Sequence, residues 1–244
     1  MGEAMWRAAA MMLTLIPGPA MAQTEVDLEL VLLADSSGSI TEEEIRFQRQ
    51  SYATALTDPA VVDAITGTLT GSVAITYVEW GQFDNIFVIA PWTVIAGPED
   101  AQAFAGILLD TPRMARGRNA IGQALIFGRD LIEGNDITAW RWIIDLSADS
   151  TGNFNGPTIA EGRAAALAAG ITINGLPLLC RDCAPGTGVP GTGLEAEFAE
   201  KIIGGPGAFV VTADDPAAFA DAIRRKLILE ISGDHGGPAF AGTP

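Results

Sequence analysis

Residues 28–39 read LELVLLADSSGS, and the two halves of that stretch have opposite chemistry. The apolar run 30–34 lacks the alternation of a half-exposed strand, so it predicts a strand covered on both faces, as in the middle of a parallel sheet. Asp35, Ser36, Ser37, Gly38 and Ser39 then follow at its C-terminal end. In open α/β sheets the loops diverge at that end and leave the crevice where ligands bind. Thr41 with Glu44 three residues on spells a capping box, and Glu42 and Glu43 suit the positive end of a helix dipole. Strand, oxygen-rich loop and helix in succession place the chain in the α/β class.

The spacing Asp35-x-Ser37-x-Ser39 has two readings. One carboxylate and two hydroxyls on alternate residues of a tight loop can aim three hard oxygens at one point, which suits Mg, Mn or Ca. Gly38 lets such a loop turn sharply. Ser and Asp also collect before helices simply as caps, and this stretch alone does not choose between the two.

The remaining chain alternates strand and helix. A helix over 41–57, with Ile45, Tyr52 and Leu56 as core contacts, ends at Asp58-Pro59, and a short apolar stretch follows at 61–65. Residues 72–80 read as a strand, 81–85 as a turn and 86–90 as a second strand, close enough to form an antiparallel hairpin at the sheet edge. A helix begins at Pro98. After RMARGRNAIG (113–122), apolar residues 121, 124, 125, 128, 131 and 132 keep helical spacing, so Asn119 arrives as a helix cap or as an oxygen ligand. WRWIIDLS (140–147) is a buried strand that delivers Asp149 among small polar residues. Helix 158–169, strand 171–177, helix 194–203, strand 208–211 and a helix from Pro216 to about 230 complete the pattern, with Asp214 and Asp215 as cap candidates and Phe219, Ala222, Ile223 and Leu227 as the last apolar stripe. The expected architecture is a doubly wound, mostly parallel central sheet with one antiparallel edge strand and helices on both faces.

Residues 1–22 read as an address. Arg7 precedes an apolar run over 8–16, Pro17-Gly18-Pro19 breaks it, and Ala20-Met21-Ala22 offers a cleavage site before Gln23. The run is too short to span a bilayer. The expected organisation is therefore a signal peptide (1–22), one domain (23–232) and a disordered tail (233–244), in an exported, periplasmic or secreted protein. A net charge of -16 from 14 Lys and Arg against 30 Asp and Glu argues against nucleic acid as a partner.

Catalytic readings lack parts. Ser37 or Ser147 as a nucleophile needs a His base, yet the single His235 lies in the tail, and there is no G-x-S-x-G elbow. Asp35 could serve a Mg-dependent phosphotransferase, but no basic residue stands near it in sequence to hold phosphate. Walker A and G-x-G-x-x-G patterns are absent, and the glycine-rich run 186–193 has no phosphate-binding Lys after it. Cys180-Arg181-Asp182-Cys183 lies in a loop composition, where an exported protein favours a local disulfide over a redox or zinc role.

DxSxS at residues 35–39, Asn119 entering a middle helix and Asp149 at a later strand end occur in an order that resembles the von Willebrand factor type A (VWA) domain, over about residues 26–231. The stretches 144–149 and 204–209 leading into 219–231 more closely resemble a bacterial branch of exported proteins with this domain, known as a domain of unknown function. The resemblance implies a metal-ion-dependent adhesion site: Ser37 and Ser39 ligating through hydroxyls, Asp35 and Asp149 directly or through water, and a position open to a partner protein's Asp or Glu. It implies Mg first, with Mn or Ca as alternatives, and a binding role without catalysis. Asn119 stands where the family usually has Thr, a longer side chain that moves its oxygen away from the backbone. The alternative is a structural scaffold whose metal site is vestigial, with a metal-dependent hydrolase behind it. Trp92, next to Pro91, is the tryptophan expected to be exposed, with Trp80, Trp140 and Trp142 expected mostly to pack in the core.

Overall fold

The computed structural model describes residues 24–178, 193–212 and 216–233, with side chains in the last segment from Phe219 onward. The leader, the Cys180–Cys183 pair, the Asp214 and Asp215 caps and the tail beyond Gly233 lie outside the described residues.

Strand β1 (Thr24–Asp35) is central, as its unbroken apolar run predicts. It lies between β2 (Val73–Trp80) and β4 (Ile137–Ala148), parallel to both. Next to β2 is the antiparallel strand β3 (Ile86–Ile95), and next to β4 is the parallel strand β5 (Thr172–Pro177), giving the order β3-β2-β1-β4-β5. Alternate residues of β1 feed two cores. Leu28, Leu30 and Leu32 pack with Tyr52, Leu56, Phe104, Leu108 and Ile223, while Val31 and Leu33 pack with Trp80, Ile121, Leu125, Ile144 and Phe198. Each fully buried Leu or Val contributes about 1.5–3 kcal/mol, so both faces of this strand are strongly specified.

The helices that supply those side chains are α1 (Glu42–Leu56), α2 (Pro59–Thr66), α3 (Pro98–Asp110), α4 (Ile121–Glu133), α5 (Ile159–Ala168), α6 (Leu194–Lys201) and α7 (Pro216–Ser232). The Thr41–Glu44 capping box forms as read, and Thr158 with Glu161 makes a second one at α5. The stretch at 61–65 is helical because Asp58 caps it, its carboxylate accepting the Ala60 amide at 2.8 Å, with Pro59 at the first helical position. Strand β3 runs five residues further than expected, through Pro91, where the ladder to β2 shifts register. The expected strand at 208–211 is not a ladder: the segment meets β5 through an isolated bridge between Val210 and Gly175 and through the Phe209 amide, which donates to the Asn174 side chain.

The tryptophan expectation holds for Trp80, which is fully buried, and is reversed for the other three. Trp92 is half-buried with its indole N–H donating to Leu131 O, whereas Trp140 and Trp142 are 59% and 37% exposed. These two indoles donate to Glu25 and Glu29 at 3.2 Å. They lie on the N-terminal half of β4, which pairs with β1 on one side but precedes Ile143, the first residue paired with β5 on the other.

Helices α4 and α5 meet backbone to backbone. A Cβ on Gly162 would stand 2.3 Å from Gly122 O, and one on Gly122 would stand 2.3 Å from Pro157 O. Gly162→Ala is therefore expected to cost about 1–3 kcal/mol by overpacking. Gly106→Ala, in the middle of α3 with nothing within 4 Å, is expected to stabilise by about 0.5–1 kcal/mol. Thermal denaturation of the two variants should move in opposite directions.

Candidate functional site

Because β1 and β4 are parallel neighbours, Asp35 and Asp149 leave the sheet at the same end. The Asp35 side chain is wholly buried. Its Oδ1 accepts the Ser37 amide at 2.8 Å, and its Oδ2 makes no hydrogen bond of good geometry among the described residues. Burial, with the nearby Asp149 charge second, pushes the Asp35 carboxyl up to about 7, although the Ser37 and Asp149 amides and the Ser37 hydroxyl favour the charged form. The Ser37 and Ser39 hydroxyls lie 3.1 Å apart, Ser37 fully buried and Ser39 half-buried.

Asn119 is 5% exposed and joins the same cluster by a different contact than expected. It is not the cap of α4. That position is Ala120, and the Gly122 amide in the first turn is bonded by Asn153 Oδ1 at 3.0 Å, from the loop after β4. With that donor taken, the Asn119 amide nitrogen donates to Ser150 Oγ at 3.1 Å, while Asn119 O accepts the Phe154 amide. The sequence-predicted residues are thus joined pairwise at one end of the sheet: Asp35 to Ser37, Ser37 to Ser39, and Asn119 to the residue after Asp149.

This donor set can be tested for fit to a hard divalent cation. A buried carboxylate with an idle oxygen, a hydroxyl pair and a second carboxylate nearby are all oxygen donors, and no thiol or imidazole is among them. Among the described residues no three Asp, Glu, His or Cys side chains gather as a metal-holding group. A cation here must therefore draw on hydroxyls, which leaves part of its charge uncompensated.

One residue of this site escaped the sequence reading. Arg113, with its side chain 5% exposed, lies under the 35–40 loop. Its Nε donates to Ser36 Oγ and Ala115 O, its Nη1 to Ile40 O, and its Nη2 to Ser36 O and Ser37 O, at 2.6–3.2 Å. Ser36 Oγ in turn donates to Ala115 O. So a basic residue does stand against the loop that carries Asp35, but its donors are spent on hydroxyl and carbonyl oxygens of that loop and of Ala115.

Arg113 is itself fixed from behind. Glu79, wholly buried on β2, binds Arg49 of α1 through one oxygen, with Nη2 at 2.6 Å, and accepts the Met114 amide at 3.1 Å through the other. Arg49 also donates to Leu108 O, Thr111 O and Pro112 O. A buried pair of this kind tolerates loss of neither partner. The available signal was Glu79 itself, a charge inside the otherwise apolar run 73–80.

Comparison with known proteins places this geometry. No curated protein matches the sequence. Among solved structures, the pilus adhesin SpaC from Lactobacillus rhamnosus GG superimposes with a TM-score of 0.60 at 15% identity, over 84% of this chain and 30% of that one. Proximal thread matrix protein 1 from the mussel byssus, in a structure described with a zinc-occupied MIDAS motif, gives 0.58 at 19%, over 86% and 49%. A von Willebrand factor type A protein from Catenulispora acidiphila gives 0.56 at 16%, over 84% and 43%. This chain spans a third to a half of the length of those proteins, and the likeness is one of fold: the α/β sheet with one antiparallel strand is a VWA fold. Residues 25–235 match the family described as Protein of unknown function (DUF1194), and the chain belongs to that family.

Proposed function

We propose that residues 23–232 form an exported protein-binding domain. It takes a partner's Asp or Glu carboxylate through a divalent ion, Mg first and Mn or Ca next, held by Asp35, Ser37, Ser39, Asn119 and Asp149. The observation that carries this reading is Asp35, a wholly buried carboxyl at the end of the central strand with one oxygen unused and a second carboxylate raising its pKa. Buried polar atoms without partners cost free energy, and a cation at this point would satisfy Asp35 and reduce its repulsion with Asp149. Bound there, the ion supplies a positive centre for an incoming carboxylate. Ser37 and Ser39 offer hydroxyl oxygens, Asn119 braces Ser150 beside Asp149, and Arg113 holds the loop in shape. Support also comes from neighbours of the same fold, among them a pilus adhesin and a byssus protein whose MIDAS motif is described as zinc-occupied. Export is supported by the leader reading, and no helix of the described residues is long and apolar enough to cross a membrane.

Calorimetric titration of Mg, Mn and Ca into the chelator-stripped mature protein tests the site, with Asp35→Asn alongside. One ion per chain is expected, raising stability by about 2.7 kcal/mol at a hundredfold excess over Kd. Asp35→Asn should keep the metal-free stability and lose the metal effect. Equal heats for both proteins would leave the scaffold alternative standing.

A further inference from the structure

Next to the proposed ion site the surface carries apolar side chains for which the fold has no evident use. Phe83, Met114 and Phe154 are 49%, 44% and 57% exposed. They stand on the β2–β3, α3–α4 and β4–α5 loops, which bind one another tightly. The Gln82 amide donates to Arg116 O, the Arg116 amide to Asn85 Oδ1, the Phe83 amide to Asn155 Oδ1 and the Phe154 amide to Asn119 O. The exposed rings therefore sit on a braced platform.

Phe154 borders the site directly. A Cβ on Gly152 would lie 2.8 Å from its ring and 3.6 Å from Ser150 Oγ, the oxygen that receives Asn119. The Arg118 guanidinium stacks over the same ring at 4.3 Å from the centroid. Charge is also unevenly placed. Arg113, Arg116 and Arg118 fall within one short run in a chain of net charge -16. Of the acids on this face, Glu42 is held by Arg116 at 2.7 Å with Arg113 at 3.6 Å, and Asp84 accepts Gln82 Nε2. Exposed aromatic surface with arginine on a preformed platform is the make-up of a binding hot spot.

We propose that Phe154 and Arg118 form a second anchor beside the ion, and that the partner segment is an acidic peptide with an aromatic or large aliphatic residue next to the carboxylate that meets the ion. This rests on the ion-site reading above. The apolar side chain covers Phe154, and a further Asp or Glu pairs with Arg118, whose guanidinium can keep its stack on the ring while its edge receives a carboxylate.

A random peptide library displayed on phage, selected on the mature protein in Mg and eluted with EDTA, supplies the probe. The enriched peptides are then synthesised with a fluorophore and titrated against wild type, Phe154→Ser, Arg118→Ser and Asp35→Asn. Expected are Mg-dependent peptides that pair an acid with an aromatic or aliphatic neighbour. Each rim substitution should weaken them by about tenfold or more while leaving the Mg titration unchanged. Unchanged peptide affinity in both rim variants, with Asp35→Asn abolishing binding, would overturn this inference and leave the ion site intact. Mg and peptide binding that survive Asp35→Asn would remove both. Peptides without acids, no Mg-dependent peptide at all, or a Mg-promoted dimer lost in Phe154→Ser each overturn the acidic-segment assignment, the last in favour of a second copy of this chain.

Discussion

Replacing Lys226 by Met is expected to cost about 3–5 kcal/mol of stability at neutral pH, read from urea unfolding, because it leaves two carboxylates buried without a cation. Lys226 lies 1% exposed, its ammonium 2.7 Å from Asp145 Oδ1 and also bonded to Glu230 Oε1. Asn174 donates to Glu230 at 2.8 Å and accepts the Phe209 amide, so the cluster ties β4, β5, α7 and the 208–211 segment together. Two acids share one base there. Burial pushes Glu230 up to about 7 from 4.5, the neighbouring Asp145 charge adding to the shift, and Asp145 is raised as well. The native state consequently binds more protons than the unfolded one between about pH 4.5 and 7, and the contribution of Glu230 to stability falls as pH rises through that window. Lys226→Met should make the fall steeper, with a larger deficit at pH 8 than at pH 5. A triple replacement that also turns Asp145 and Glu230 into apolar residues of similar size should recover most of the loss. A cost under about 1 kcal/mol for Lys226→Met would mean that water reaches the cluster.

Arg113→Ala is expected to lower Mg affinity at the proposed ion site about 10–100-fold, the usual penalty for removing a group that orients metal ligands without touching the metal. The substitution removes donors from Ser36 Oγ and from the Ser36, Ser37 and Ile40 carbonyls at once, so the hydroxyls of Ser37 and Ser39 lose their fixed aim. Arg113→Lys should restore little, since an ammonium cannot reach four acceptors spread around a planar fork. Calorimetry gives the affinity, and circular dichroism without metal shows whether the fold is kept. Wild-type Mg affinity in Arg113→Ala would make the arginine a packing residue only.

Much of the fold was readable because both cores rest on β1. A strand that is apolar on both faces has one natural place, and the capping box at Thr41 fixed where the following helix begins. What was not readable depended on contacts distant in sequence. Asn119 looked like a cap until Asn153, 31 residues beyond Gly122, took the donor it would have capped. Arg113 reaches a loop 73–77 residues away, a distance no local pattern encodes. The segment 208–211 has strand composition, but Gly204, Gly205 and Gly207 lead into it, the last two with positive φ, and its backbone meets the β5 backbone at isolated bridges rather than along a ladder. Asp145 and Glu79 were visible as charges within apolar strands, and each belongs to a buried ion pair.

Pro91 and the bridges to β5 have a bearing on self-association at high concentration. On β3, the outermost strand at one side, Pro91 withholds an amide and the register shift twists the ladder beside it. On β5, at the other side, Ile173 and Gly175 already bond the 204–210 backbone. Neither outermost strand offers a clean template for strand addition, the usual route by which sheets polymerise. Concentrated solutions of the protein should accordingly resist fibril growth.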